Sequence, residues 1–249
     1  PSLANSVANI IKSLYGRNKK ALVLDLDNTL WGGIVGDDGV DGIAVGPEVP
    51  EGQVYAEFQS YCKALKSIGV VLAVDSKNDE QNALDGLNHP DGVLRPDDFV
   101  CIKANWEPKD RNLLDIAAEL NLGADSFVFA DDNPAERAIV AAQVPGVETP
   151  VLDGAENYIK TLDHGGYFEV TALSGEDLKK TELYHANAER RRAQAAFADY
   201  GAHIIHGAAN AMYLPKVIRF NAKDSTAKKR YGQIADFLHL GGENDDEKV

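Results

Sequence analysis

Only two cysteines, Cys62 and Cys101, occur in the 249 residues, so there is no disulfide framework and a reducing compartment suits the chain. Long hydrophobic runs are missing as well. No apolar segment approaches the roughly 20 residues that span a bilayer, and the first residues show no signal-peptide pattern. Positive charge is scarce: 25 Lys and Arg against 39 Asp and Glu leave a net charge of −14 and a pI near 4.8. Nucleic acid and anionic membranes both require a basic footprint, so neither is expected as a partner. The short basic clusters Arg190-Arg-Arg192 and Lys228-Lys-Arg230 read as solvated helix faces, with docking points as the alternative. The six histidines lack zinc-ligand spacing, and no Walker-type glycine loop occurs. A soluble, cytoplasmic protein is expected, and its start at Pro1 suggests a processed form or a domain of something larger. With 44% hydrophobic and 26% charged residues, the chain builds one sizeable core with room for an appendage.

What is present is a pattern of apolar runs that end in acids. Ala21-Leu-Val-Leu24 is apolar at every position and reads as a strand buried on both faces, the habit of a parallel sheet covered by helices. It stops at Asp25-Leu-Asp-Asn-Thr29. Leu3, Val7, Ile10 and Leu14 predict a helix before it. Trp31 to Gly42, rich in glycine and acid, predicts a turn-rich hairpin or flap after it. Val54, Phe58, Tyr61 and Leu65 mark a second helix, and Val70 to Val74 a strand ending at Asp75-Ser-Lys-Asn78. Phe99 to Ile102 predicts another strand, followed by a helix with Leu113, Leu114, Ala117 and Leu120 on its apolar face. Pro108 suits that helix's first turn. Ser126 to Ala130 predicts a last strand, stopping at Asp131-Asp-Asn-Pro134. This alternation means βαβ units and a mostly parallel sheet. Cys62 falls on an apolar helix stripe and Cys101 in an apolar strand, so both are expected in the core.

In open α/β sheets ligands bind at the carboxyl ends of the strands, where these acids collect. Asp25 and Asp27 share an orientation because strand side chains alternate. Carboxylates this close call for a hard divalent cation. The expected constellation has Asp25 as a nucleophile that forms an aspartyl-phosphate, and Asp27 as general acid and then base. Ser76 would hydrogen-bond a phosphate oxygen while Lys109 neutralises the nucleophile and the transferring group. Mg2+ would be held by Asp25, the Asp27 backbone carbonyl and Asp131, with Asp132 beside them.

The ordered motifs Asp25-Leu-Asp-Asn-Thr29, Ser76, Lys109 and Asp131-Asp132 resemble those of the haloacid dehalogenase (HAD) superfamily of phosphotransferases. Trp31-Gly-Gly33, Ser76-Lys-Asn78, Asn105-Trp-Glu-Pro-Lys109 and Asp131-Asp-Asn-Pro-Ala-Glu-Arg137 are similar to the FkbH-like branch, subfamily IIIC. The resemblance runs to about residue 200 and continues weakly through Tyr167-Phe-Glu169 and Ser174-Gly-Glu-Asp177. It implies a doubly wound, mostly parallel HAD-like Rossmannoid α/β fold with a flap after the first strand. It also implies magnesium-dependent phosphoryl transfer, with Thr29, Ser76, Lys77 and Asn78 binding substrate phosphate. Well-studied FkbH-like members dephosphorylate 1,3-bisphosphoglycerate and load a glyceryl group onto an acyl carrier protein in polyketide biosynthesis. In those members a cysteine precedes the serine of the second motif and carries the acyl group. Here Asp75 stands in that place, and a mixed anhydride on a carboxylate would be cleaved by water.

The gap from Thr29 to Ser76 is about 47 residues and that from Ser76 to Lys109 about 33, so no full cap domain is expected. An open site favours a large partner, or a lid from the C-terminal region or a second subunit; a polar helix over 177–200 is one candidate cover. The expected division is a catalytic domain over 1–165 and a helical extension over 166–249, with an edge strand near 212–220 and a disordered acidic tail from 243. Two alternatives stand beside the FkbH-like reading: a plain phosphatase acting on a sugar phosphate or phosphoprotein, and a non-catalytic interaction domain. Asp25, Asp27, Lys109 and Asp131 being all present argues against the last.

Overall fold

The computed structural model describes residues 3–170 and, beyond them, 183–184, 186–190, 228–230 and 233. The chain divides into two compact units, Pro1–Arg192 and Ala193–Val249. The described part of the first unit alternates strands and helices as the apolar runs predicted. Helix α1 (Leu3–Leu14) precedes β1 (Ala21–Leu24), and the flap carries the short α2 (Val35–Asp38). There follow α3 (Pro50–Ser67), β2 (Val71–Ser76), α4 (Glu80–Leu87), β3 (Cys101–Ala104) and α5 (Lys109–Leu120). The last elements are β4 (Phe127–Ala130), α6 (Pro134–Gln143) and α7 (Tyr158–Gly165). Among the described residues no helix is long and apolar enough to cross a membrane.

The four strands lie in the order β3-β2-β1-β4, all parallel. Every residue of β1, β2 and β4 is buried, because helices cover both faces. Leu22, Leu24, Leu72, Val74 and Val128 face Phe58, Cys62, Ala83, Leu87 and Leu162 of α3, α4 and α7. Ala21, Val23, Val71, Ala73, Phe127 and Phe129 face Leu113, Ile116 and Val140 of α5 and α6. The sheet is therefore doubly wound. Fully burying an aliphatic or phenyl side chain in such a layer contributes about 1.5–3 kcal/mol.

Local chemistry sets the helix ends that matter for the site. Asn133 caps α6, its side chain accepting from the Ala135 amide, with Pro134 in the first turn. Asn121 closes α5 in the left-handed region at φ 55°, which asparagine tolerates better than most residues. Pro108 sits one residue before α5 rather than inside it.

Three expectations shift. Strand β2 runs two residues past its apolar stretch, because pairing with β3 continues through Asp75↔Lys103 and Ser76↔Ala104. Strand β3 starts at Cys101 rather than Phe99, although the Val100 amide already donates to Leu72 O. On α5 the buried stripe is Leu113, Ile116, Ala117 and Leu120, while Leu114 is half exposed. The helical period permitted either leucine, and only the approach of the sheet selects one. Both cysteines are buried, as expected, and they form no disulfide. Of the helix anticipated over 177–200, the described residues 183–184 and 186–190 are helical; the rest lies outside the described residues, as do the edge strand near 212–220 and the acidic tail.

The flap is closed by an antiparallel bridge between Gly32 and Ala44, with α2 and a single 3-10 turn at its tip. Flap and α3 occupy the first gap, α4 and β3 the second, so neither holds a cap domain. Trp31 anchors the flap root: it is 1% exposed and its ring lies over Gly86 of α4, where a Cβ would come within 2.7 Å of the indole. Gly86→Ala is expected to destabilise the protein by about 1–3 kcal/mol through overpacking, measured as a lower urea midpoint at unchanged slope. An unchanged midpoint would mean that the indole is free to move aside.

Candidate active site

One register step beyond the paired residues Leu24, Val74 and Ala130 come Asp25, Asp75 and Asp131. The ladder carries on through this step, since the Asp25 amide donates to Ala130 O at 2.9 Å. The three acids thus form a row across the carboxyl edge of the sheet, on the face that α5 covers. All three are buried. Helix α5 meets them with two side chains one turn apart. Lys109 Nζ lies 3.0 Å from Asp25 Oδ1 and 2.5 Å from Asp131 Oδ2, and Asn112 Nδ2 donates to Asp75 Oδ1 at 3.0 Å. Burial by itself would lower the Lys109 pKa, but Asp25 and Asp131 outweigh it and hold the ammonium above the usual lysine value. Burial and the Asp25 charge raise Asp131, against the pull of Lys109.

Asp27 stands apart from this row. Its Oδ1 accepts from Trp31 Nε1 at 2.9 Å and from the Val35 amide at 3.0 Å, and its Oδ2 accepts from Asn78 Nδ2 at 2.9 Å. Burial raises its pKa, while the Val35 and Trp31 bonds oppose that shift. The turn that carries it is shaped by Asn28, left-handed at φ 55°, whose carbonyl accepts from the Tyr158 hydroxyl and whose side chain accepts from the Gly33 amide.

The remaining expected residues divide between the site floor and its rim. Thr29 is fully buried, and its hydroxyl accepts from the Asp132 amide at 3.3 Å. Ser76 is buried at the end of β2, its carbonyl accepting from the Asn105 amide. Lys77 is exposed and pairs with Glu136 of α6 at 2.6 Å. Asn112 and Arg137 belong to the site without having been singled out from the sequence. Arg137 is buried and donates to the carbonyls of Asp131 and Asp132 at 2.6 and 2.7 Å, fixing the acidic loop. For Asn112 the only available signal was its position three residues after Lys109 on the same helix face.

A carboxylate oxygen from each of Asp25, Asp131 and Asp132 lies within 4.8 Å of the others. Three carboxylates against the one Lys109 ammonium leave a surplus of negative charge, and every donor is oxygen, so a hard divalent cation fits the cluster. Burial, then the Asp25 charge, raises the Asp132 pKa, against the pull of Lys109 and Arg137. Asp75 lies outside the cluster. Its Oδ2 is buried without a hydrogen-bond partner, and burial pushes its pKa up to about 8 in spite of Asn112 and Lys109.

This chain is similar to the crystal structure of the N-terminal part of the protein BF1531 from Bacteroides fragilis, containing a phosphatase domain complexed with Mg. The TM-score is 0.65 at 44% identity, over 67% of this chain and 45% of that one. The chain spans under half the length of that relative. Residues 197–249 match the C-terminal family of Fe-containing alcohol dehydrogenases. In agreement, an NADPH-dependent butanol dehydrogenase from Clostridium saccharobutylicum is 51% identical over 47 residues, 19% of this chain and 12% of that protein. That second likeness was missed from the sequence, where the pattern after Tyr200 was too weak to read; its residues lie almost wholly outside the described ones. The fold of the first unit is the HAD-like α/β architecture that its four motifs implied.

The pKa of Asp75 implies a pH dependence of stability. Its folded-state value, about 8, exceeds the ordinary 3.8. The stability this gives is fully present below about pH 4 and is lost as the pH rises through 8, at up to about 1.4 kcal/mol per pH unit. Asp75→Asn keeps the acceptor for Asn112 and removes the ionisation. In urea unfolding between pH 4 and 8, the variant is expected to gain on the native protein as the pH rises. Parallel stability curves would show that Asp75 does not titrate in this range.

Proposed function

We propose that this chain is a magnesium-dependent HAD-type phosphatase that works through an aspartyl-phosphate on Asp25. The observation that carries the reading is the pairing of Lys109 with both Asp25 and Asp131 at the sheet edge, beside a three-carboxylate cluster fit for a cation. When bound by Asp25, Asp131 and the Asp27 carbonyl, with Asp132 beside them, Mg2+ supplies charge neutralisation and orients the phosphate. An Asp25 carboxylate oxygen attacks phosphorus and the bond to the leaving oxygen breaks. That oxygen keeps the electron pair and takes its proton from Asp27. In the second step Asp27 takes a proton from water, whose oxygen attacks phosphorus and releases Asp25. Lys109 offsets the charge on Asp25 and on the transferring group. Ser76 and Lys77, at the end of β2, are assigned to the phosphate oxygens; Thr29 braces the Asp132 amide. Every group in this scheme falls within residues 1–165, the proposed catalytic domain, with 166–249 as its extension.

The substrate is a phosphorylated small molecule entering a site with no cap domain in either gap between its motifs. The FkbH-like motifs favour an acyl phosphate such as 1,3-bisphosphoglycerate, and they raise transfer to an acyl carrier protein as the second half of the reaction. Asp75 favours hydrolysis instead. It offers no thiol, it is buried, and neither Cys62 nor Cys101 belongs to the site. Two buried thiols that form no disulfide suit the cytoplasm. The dehydrogenase likeness covers 12% of the butanol dehydrogenase, too little to bring its activity here, and the phosphatase reading rests on the first unit alone.

With Mg2+ and 1,3-bisphosphoglycerate, phosphate release is expected without a glyceryl adduct on an added acyl carrier protein, read by intact-mass spectrometry. An adduct would overturn the hydrolytic version. Asp25→Asn is expected to abolish phosphate release while leaving the circular dichroism spectrum unchanged, and EDTA is expected to do the same reversibly. Near-native turnover in that variant would sink the aspartyl-phosphate mechanism.

A further inference from the structure

The Asp27 carboxylate is gripped from three places in the chain. Trp31 comes from the root of the flap, the Val35 amide from the first residue of α2, and Asn78 from the loop after β2. Two of the three bonds end on Oδ1, which fills both of that oxygen's acceptor directions. Only one ends on Oδ2. Neither side-chain donor has room to turn away, since Trp31 and Asn78 are 1% and 4% exposed and the indole is wedged over Gly86. Swinging the carboxylate would break bonds to three elements at once.

We propose that Trp31 and Asn78 are positioning residues that hold Asp27 so that Oδ2 carries the transferable proton and faces the leaving oxygen. The proposal rests on the phosphatase reading and deepens it. It also gives Asn78 a task other than holding phosphate. In the bond-breaking step the P–O bond opens toward the leaving oxygen, the electron pair stays there, and the proton on Asp27 Oδ2 passes to it. Oδ1 stays fixed by Trp31 and Val35 throughout. A poor leaving group, such as the alkoxide of glycerol phosphate, needs that proton; p-nitrophenolate departs almost without it. Loosening Asp27 must therefore cost the first class of substrate much more than the second.

The test compares kcat/KM for glycerol phosphate and for p-nitrophenyl phosphate in native protein, Trp31→Phe and Asn78→Ala. This parameter reports the steps up to the phosphoenzyme and omits its hydrolysis, which both substrates share. Trp31→Phe removes the N–H together with the far edge of the indole that packs on Gly86, and Asn78→Ala leaves that packing untouched. In each variant the ratio of the alkyl to the nitrophenyl value is expected to fall roughly tenfold or more, part of the 10²–10⁴-fold worth of a general acid. A ratio that stays constant, whether both activities persist or fall together, overturns the proposal. If one variant fails to fold by circular dichroism, the other decides, because the two donors sit on separate elements. Native protein that releases phosphate from 1,3-bisphosphoglycerate but hydrolyses neither compound overturns this inference alone; release from none of the three overturns the phosphatase reading as well.

Discussion

The site depends on one ammonium group. Lys109 enters from the first turn of α5 into a row of carboxylates that parallel pairing has lined up across the sheet edge. Without it, Asp25 and Asp131 would face each other buried and uncompensated, an arrangement that costs several kcal/mol per ion. Its placement is inexpensive in structural terms. Pro108 ends the preceding loop, α5 starts at Lys109, and the helix is held down by Leu113, Ile116 and Leu120 against β1, β2 and β4. The same apolar contacts that make the fold therefore set the lysine's reach.

Two aspartates near this lysine have been given opposite settings. Asp75 lies in the row but beyond the lysine's direct contact, with one bond from Asn112 and an orphaned oxygen, and burial raises its pKa. Asp27 lies outside the row and is surrounded by three donors that favour its charged form while burial disfavours it. A carboxyl balanced in this way suits a group that must both give and take a proton. Environment, more than residue type, separates Asp25, Asp27 and Asp75.

Much of this was legible in the sequence because each site residue sits at the end of an apolar run or the start of a helix. Asp25, Ser76, Lys109 and Asp131 follow directly from strand ends and from the proline before α5. What stayed hidden depends on contacts between distant segments. The Asn78 bond to Asp27 joins residues 51 apart, and the Asn112 bond to Asp75 joins residues 37 apart; no periodicity encodes either. Leu114 was expected on the apolar face of α5, and the sheet buries Ile116 in its stead. The likeness of residues 197–249 to dehydrogenases was missed for a different reason, since a 53-residue segment without strong periodicity gives no fold signal by itself.

The central claim is that Lys109 and Asp25 stabilise each other as a buried pair, so a double-mutant cycle in urea unfolding tests it most directly. Lys109→Met alone is expected to cost about 3–5 kcal/mol, because it strands buried carboxylates. Adding Asp25→Asn to Lys109→Met should recover a large part of that loss, giving a coupling energy of about 2 kcal/mol or more at pH 7. Additive effects, with the double variant as unstable as the sum of the singles, would contradict the account.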